Sequence, residues 1–588
     1  MPANEPTPSE SSVAATPTSD PVTTENADPP ADTVNCGRWQ SALEVLLILA
    51  VFFVFAGNAP PAVNEAHYWV KAKQFWQPDW LANDVFAASG KAHLVFYVTF
   101  GWLTRLCDLP MAVTIGRWIG WTLLAFGLQR FSWSIAPRRF FSLVLTSVWI
   151  AFTFHGELAG EWVVGGIEAK VPAYAFALWG LSYIAVGRFA PAWWLFGAAA
   201  AFHVLVGGWS VVAAAIAFAI AGHQRPSIWR QILPLMGGGL VAAAGVVPGL
   251  WTSQGVDSDV AIQAANIYTF DRIAHHLYAV SFSHSAWTRF AVCVAIAIGM
   301  FACQCRVPSM IRIGRFTLGS LLIAAAGLLL SLAVWQQWIS QDRGASLLRF
   351  YWFRLSDVCV PLLISVGVVT WLASPLAGRS WWPMLARLIP LSIAILAAIA
   401  VLYQGISTSR LAIPVACHDA FSRFRPSDDR DGASETRAQW LRWVCETAKL
   451  HPLPDDQQCE SAATNYAQWR DACRWAHDNT PPGTMFITPR HQQTFKFYSL
   501  RGEVANRKDV PQNAAALIDW QTRMQRVYPD GVRADFRYDT LAQLKADYGA
   551  EYLIVDRRVE PFRLPLLRVY PEGDTAAGKT NYVIYEVP

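Results

Sequence analysis

Side chains suited to acid–base or phosphate chemistry fall in a few short stretches of this 588-residue chain, each bordering a long apolar run. The first opens Asn64-Glu65-Ala66-His67-Tyr68-Trp69, stays polar to about Ala92, and also holds Asp84 and, at its end, His93. Pro60-Pro61 prevent simple continuation of the preceding helix, and Asn64 suits a helix N-cap. Glu65 then sits in the first turn, where the positive end of the helix dipole favours an ionised carboxylate. Such a group at a membrane surface suits a general base or a metal ligand. The same residues also read as plain capping chemistry beside an interfacial aromatic belt of Tyr68, Trp69, Phe75 and Trp76.

A second stretch carries His155, Glu157, Glu161, Glu168 and Lys170, with Gly165-Gly166 offering close backbone approach to a ligand. It reads either as part of a site or as a solvated loop. His203 lies inside the apolar run 198–208, as a functional polar group or a satisfied packing residue. Arg272, His275 and His276 share one face at helical spacing, which fits an anionic group such as a phosphate; an Asp271–His275 pair is the structural alternative. Arg349 and Arg354 stand at the edge of another apolar run. Arg354 reads as half of a buried pair with Asp357 or as a contact to a phosphate-bearing lipid.

These stretches are held by what must be a membrane bundle. The chain is 53% hydrophobic and only 15% charged, with 28 Trp, against roughly 25% charge in an ordinary soluble protein. Apolar blocks between residues 41 and 405 predict roughly 11–13 crossings. Arg138-Arg139, Arg188, Arg225, Arg230, Arg306, Arg312, Arg315, Arg379 and Arg387 mark one face as cytoplasmic. The loops at 58–92, 156–170, 252–285 and 340–355 then share the opposite face. Two full crossings between 93 and 131 would invert that order, so one of those two blocks is expected to be re-entrant or interfacial. A net charge of +4, without basic runs interleaved with aromatics, argues against a nucleic-acid partner.

Residues 1–37 contain acids but no Lys or Arg and are rich in Pro, Ser, Thr and Ala, the composition of a disordered tail. The bundle is expected over 38–408, and 409–588 as a soluble, extracytoplasmic α/β domain with helices near 465–479, 514–526 and 539–548 and strands near 484–488, 551–556 and 581–587. Cys417, Cys445, Cys459 and Cys473 allow two disulfides in three pairings, or free buried thiols. Gly573–Thr580 fits the phosphate-loop pattern, but a strand rather than a helix follows, which makes it a hairpin turn.

The arrangement of a first span, a long outer loop with an early acid, many short spans and a C-terminal soluble domain resembles the GT-C glycosyltransferase superfamily, which includes protein O-mannosyltransferases and aminoarabinose transferases. The stretches NEAHYWVKAKQFWQPDW, AHLVFYVTFGWLTR, GEWVVGGIEAK and AFHVLVGGWS also look like a family of bacterial multi-pass membrane proteins that brings no established activity with it. The wider resemblance implies an enzyme of the bacterial inner membrane, whose partners are the bilayer and a lipid-linked donor. It would transfer a sugar from a polyprenyl phosphate to an acceptor on the extracytoplasmic face. Glu65 would match the acid of the first outer loop, as base or metal ligand, and Glu168 would be a second acid. Lys170, Arg272, His275, His276, Arg349 and Arg354 would hold the donor, with His67, Asp84, His93, Glu161 and His203 as further candidates. The superfamily often has Asp, frequently in an acidic pair, where this chain has Asn64-Glu65, so a divalent cation is compatible with the sequence but not required by it. A transporter, a lipid flippase or a non-catalytic membrane protein on the same bundle is the competing expectation. Oligomeric state is left open.

Overall fold

The computed structural model describes residues 37–222, 225–251, 254–374, 388–416, 453–531, 533–560, 563–573 and 578–588. The expected acidic tail, Arg379, Arg387, Cys417 and Cys445 lie outside the described residues. Among the described residues seven helices are long and apolar enough to cross a membrane: Arg38–Ala56, Leu109–Ile135, Trp229–Trp251, His284–Cys303, Pro308–Trp335, Arg354–Ala373 and Leu388–Thr408. Three shorter apolar helices, Phe141–Gly156, Phe189–Phe202 and Val204–Ala219, pack among them. At about 1.5 Å per residue, a helix of 16 residues or fewer falls short of a bilayer core of about 30 Å. The chain is thus a helical polytopic membrane protein with a small C-terminal sheet. The Arg354–Ala373 helix is the most enclosed, with 89% of its apolar window buried, whereas Trp229–Trp251 is 11% buried and faces outward along most of its length.

The span conflict at 93–131 has a simple resolution. Residues 94–105 form only a six-residue helix, Leu94–Thr99, and a 3-10 turn, Gly101–Arg105. A six-residue helix rises about 9 Å and cannot cross. The crossing is the next helix, Leu109–Ile135, which starts where the Asp108 carboxylate accepts from Met111 N–H (2.9 Å), with Pro110 in the first turn. At the other end of the bundle sequence, the last membrane helix continues to Ala416, so the composition change at Ser409 falls inside a helix.

The C-terminal part builds a five-stranded sheet in the order β2-β1-β3-β5-β4, from β1 Met485–Ile487, β2 Gly502–Glu503, β3 Ala550–Asp556, β4 Arg568–Tyr570 and β5 Tyr582–Glu586. β1 runs parallel to β2 and β3, and β5 antiparallel to β3 and β4. Helices Asp456–Asn479, Ala514–Val527 and Tyr538–Tyr548 cover it, burying Trp469 and Trp520. The phosphate-loop-like segment connects the antiparallel β4 and β5, as a hairpin turn would, although 574–577 are outside the described residues. Cys459 and Cys473 are both buried in one helix, about 21 Å apart along its axis, so they do not bond to each other.

This domain docks on the 58–92 loop. Gln493 Nε2 donates to Val63 O (3.0 Å), Trp80 Nε1 to Leu500 O (3.3 Å), Gly90 N–H to Asn513 Oδ1 (3.2 Å) and Ala92 N–H to Gln512 Oε1 (3.1 Å). Under these contacts Lys496 Nζ meets three carboxylates, Glu503 Oε1 at 2.5 Å, Asp509 Oδ2 at 2.6 Å and Asp84 Oδ2 at 3.5 Å, all buried. His67 Nδ1 donates to Asp509 Oδ1 (3.3 Å).

Candidate functional site

The 157–169 loop is pinned at both ends by buried carboxylates. Asp357 accepts from the N–H groups of Leu158 (3.0 Å), Ala159 (2.9 Å) and Glu161 (3.4 Å). Glu65 accepts from Ile167 N–H (2.8 Å), Ala62 N–H (2.7 Å), Arg117 Nε (2.8 Å) and Arg117 Nη2. Gly160, at φ +75° and with the His276 ring 2.7 Å from where a Cβ would stand, lets the chain turn between the pins. The loop thereby presents Glu161 and Glu168, with Lys170 at the start of the helix that follows, to a cavity of about 660 Å³.

Most of the expected site residues line that one cavity. Glu161, Glu168, Lys170, His67, His93, His203, Arg272, His275, His276, Arg349 and Arg354 all reach its wall, although they come from segments far apart in the chain. Glu168 holds one oxygen near Asn64 Nδ2 (3.3 Å) and the other 2.9 Å from Lys170 Nζ, an ion-pair contact without hydrogen-bond geometry. Glu161 accepts from Tyr174 Oη (3.1 Å) and lies 3.1 Å from Arg354 Nε. Arg354 Nη1 donates to His203 Nε2 (2.8 Å), and its guanidinium stacks over Tyr351 at 4.1 Å. Lys170 Nζ stands over the Trp162 ring at 3.8 Å. The paired acids therefore sit in a cradle of fixed cations.

His67, His93 and His276 are neutral partners rather than charges. Burial pushes His93 down to about 4 and His276 down to about 3, and lowers His67 against the pull of Asp509. His276 Nδ1–H donates to Ala159 O (2.5 Å), and His93 Nε2 meets Tyr68 Oη (3.3 Å). With neutral histidines the cavity wall carries Lys170, Arg272, Arg349, Arg354 and Lys508 against Glu161 and Glu168, five positive charges to two negative. An excess of three positive charges in a concave, half-apolar space favours an anionic ligand. The apolar part includes Val246, Gly249 and Leu250 of the outward-facing Trp229–Trp251 helix.

Several expectations are corrected. Glu65, expected beside the other site residues, is 1% exposed, does not line the cavity, and has its oxygens occupied by four N–H donors. Asp84 also stays off the cavity: it accepts from Phe86 N–H (3.0 Å), Ala87 N–H (2.8 Å) and Glu503 N–H (3.0 Å), fastening the C-terminal domain. Asn64 makes no side-chain cap and turns to Glu168 instead. Arg354 pairs with Glu161, not Asp357. Gly166 allows close approach to the protein's own Glu65, whose Cγ would lie 2.7 Å from an added Cβ, and not to a ligand. Asp271 is exposed and makes no ion pair with His275 among the described residues.

Other wall residues escaped the sequence reading. Tyr68 is hidden among the aromatic belt. Tyr268 and Tyr351, whose hydroxyls meet at 3.0 Å, carried no spacing signal. Arg117, which holds Glu65 away from the wall, had one, as a lone charge inside an apolar block. Lys508 reaches the cavity from the C-terminal domain, and no local pattern announces that. Among the described residues no three His, Cys, Asp or Glu side chains converge as a metal site would require.

Residues 467–527 match the model of a domain family of unknown function, DUF6798. No curated protein matches the chain. Among solved structures, the chain is similar to apo ArnT from Cupriavidus metallidurans, at 13% identity and a TM-score of 0.40, covering 93% of this chain and 97% of that one. It is also similar to the oligosaccharyltransferase of Archaeoglobus fulgidus, at 11% identity and a TM-score of 0.37, covering 89% of this chain and 68% of that one. With both TM-scores below 0.5, neither likeness bears on activity.

Proposed function

We propose that the chain is a membrane glycosyltransferase that moves a sugar from a lipid-phosphate donor, of the polyprenyl-phosphate class, to an acceptor bearing a hydroxyl or similar nucleophile. The observation that carries this is the cavity in which Glu168 stands among an excess of cations beside the apolar wall of the Trp229–Trp251 helix. That combination suits a ligand with an anionic head and a hydrocarbon tail.

In this reading the acceptor oxygen attacks the anomeric carbon, the bond from that carbon to the phosphate oxygen breaks, and the lipid phosphate leaves with the electron pair. Glu168 takes the acceptor proton. Arg354, whose Nε and Nη1 are fixed by Glu161 and His203, and Arg349 stabilise the charge that develops on the phosphate. Fixed donors need little reorganisation as that charge grows. Lys170 pairs with Glu168, and Asn64 orients it. Glu65 and Asp357 act one layer out, holding the loop.

The test is Glu168→Gln in the full-length protein, expressed in cells that lack the wild-type copy. Mass spectrometry of extracted lipids should find a sugar-charged lipid phosphate accumulating while one glycosylated product disappears. Unchanged lipid and glycan profiles, with the variant folded in the membrane, would sink the proposal. The competing reading as a transporter has no specific observation in its favour.

A further inference from the structure

The positive charge on the cavity wall is unevenly compensated. Lys170 lies 2.9 Å from Glu168 and 3.7 Å from Glu161, and Arg354 lies 3.1 Å from Glu161, so that part of the wall is balanced. Arg272, Arg349 and Lys508 form no ion pair among the described residues, and the excess belongs to them.

Two of these cations continue into the seam between the membrane bundle and the C-terminal domain. Arg272 Nε donates to Arg507 O (2.9 Å), Arg507 N–H donates to Arg490 O (3.1 Å), and Arg490 Nη1 meets His491 Nε2 (3.2 Å). Four cations, Arg272, Arg490, Arg507 and Lys508, are thereby strung along one join with His275 and His491. Arg272, Arg490 and Arg507 are half-buried, and Arg490 Nε is buried without a hydrogen-bond partner. The acid nearest in sequence, Asp509, is bound to Lys496 and His67.

The crowding has an electrostatic signature. Burial and then the neighbouring Arg507 lower Arg272, burial and then Arg272 lower Lys508, and burial followed by the same cations lowers His275 and His491. Asp509 opposes this only for Arg272 and Lys508, and Asp530 only for Arg490. Like charges drawn from two parts of the chain repel one another and resist desolvation, so the seam is costly to assemble empty. An oxyanion bound there would offset both terms, and guanidinium groups match phosphate and carboxylate oxygens two at a time.

We propose that this seam is an oxyanion-binding subsite, separate from the wall that carries Glu168, which holds a phosphate or carboxylate group on the molecule that receives the sugar. That the bound molecule is the acceptor rests on the transfer reading above; the existence of the subsite does not. Because Arg272 and Lys508 also line the cavity, an acceptor anchored at the seam extends toward Glu168. The C-terminal domain is then part of acceptor recognition.

The experiment uses the full-length protein in phosphatidylcholine nanodiscs, titrated calorimetrically with inorganic pyrophosphate. Wild type should bind saturably, and more weakly as salt is raised. The R490Q/R507Q double variant should bind about tenfold more weakly or worse, as expected for losing charge-assisted contacts. Its thermal unfolding without pyrophosphate should be no earlier than wild type, since repulsion has been removed. K508Q, at an exposed position, gives a second reading on a substitution that does not threaten folding. E168Q should keep its pyrophosphate affinity, which separates loss of this subsite from loss of the transfer chemistry. Absence of pyrophosphate binding, or titrations of R490Q/R507Q and K508Q that superimpose on wild type, would overturn the subsite. Nanodiscs containing phosphatidylglycerol decide the source: unchanged pyrophosphate affinity supports an anion carried by the acceptor. Competition by phosphatidylglycerol would overturn that assignment in favour of a bilayer headgroup.

Discussion

Replacing Glu65 with Gln separates a structural anchor from a catalytic base. The Glu65 and Arg117 side chains are 0% and 7% exposed and directly paired, and Arg117 also donates to Asn58 O. A glutamine side chain would keep one carbonyl oxygen for two of the four donors that the carboxylate serves. Its amide would point N–H at N–H toward the remainder and leave the Arg117 charge uncompensated in a buried site. Breaking one side of a buried pair costs about 3–5 kcal/mol. The loop from Glu161 to Lys170 loses its Ile167 anchor at the same time, so activity should fall in step with folded protein. Removing both charges, as Glu65→Gln with Arg117→Gln, should recover more than half of the loss, because the lone charge is the larger part of it. The assay is thermal unfolding in nanodiscs followed by Trp fluorescence, with transfer measured per folded molecule. A Glu65→Gln protein that melts like wild type yet transfers no sugar would refute the structural assignment and make Glu65 the reacting group.

Glu168→Gln should cost less stability than Glu65→Gln, because Lys170 keeps Glu161 at 3.7 Å as a second partner, while transfer per folded molecule falls about 10²–10⁴-fold, the usual range for a general base; wild-type turnover would remove it from the mechanism. Gly160→Ala places a Cβ 2.7 Å from the His276 ring at a φ of +75°, and should cost about 1–3 kcal/mol in strain, visible as early melting together with weakened transfer. Glu503 provides a pH test: burial raises its carboxyl from 4.5 to about 7 despite the opposing pull of Lys496. A raised acid pKa in the folded state means that its contribution is complete below about pH 4.5 and is lost as pH rises through 7. Asp509, which burial would raise but Lys496 and His67 together bring down to about 2, loses its contribution only in strong acid. Glu503 thus favours pH 5.5 over pH 8, while the lowered His93 and His276 favour the higher pH, so the readout is the variant's difference from wild type. Glu503→Gln should gain unfolding temperature relative to wild type on going from pH 5.5 to pH 8, and a difference that is the same at both would count against the arrangement of this cluster.

How much was readable from residues alone depended on whether a residue's role is local. Membrane helices and the C-terminal elements follow from runs and periodicities, which need no partner to be recognised. Cavity residues such as Glu168, Lys170, Arg272 and Arg354 could be singled out because a charge beside an apolar run always demands compensation. What cannot be seen in one segment is who supplies that compensation. Glu65 and Glu168 look alike in sequence, as acids at the membrane boundary. The difference is that Arg117, 52 residues on, and the Ile167 amide close around Glu65, while among the described residues the Glu168 carboxylate meets only Asn64 and Lys170 and keeps a face on the cavity. Lys508 is harder still, because its relation to the cavity exists only after the C-terminal domain has docked through the Asp84, Lys496 and Asp509 cluster. The same docking gathers Arg490 and Arg507 beside Arg272. An acid that closes on an arginine within the bundle thus becomes scaffold, and cations left without acids at a domain join become the place to look for a ligand.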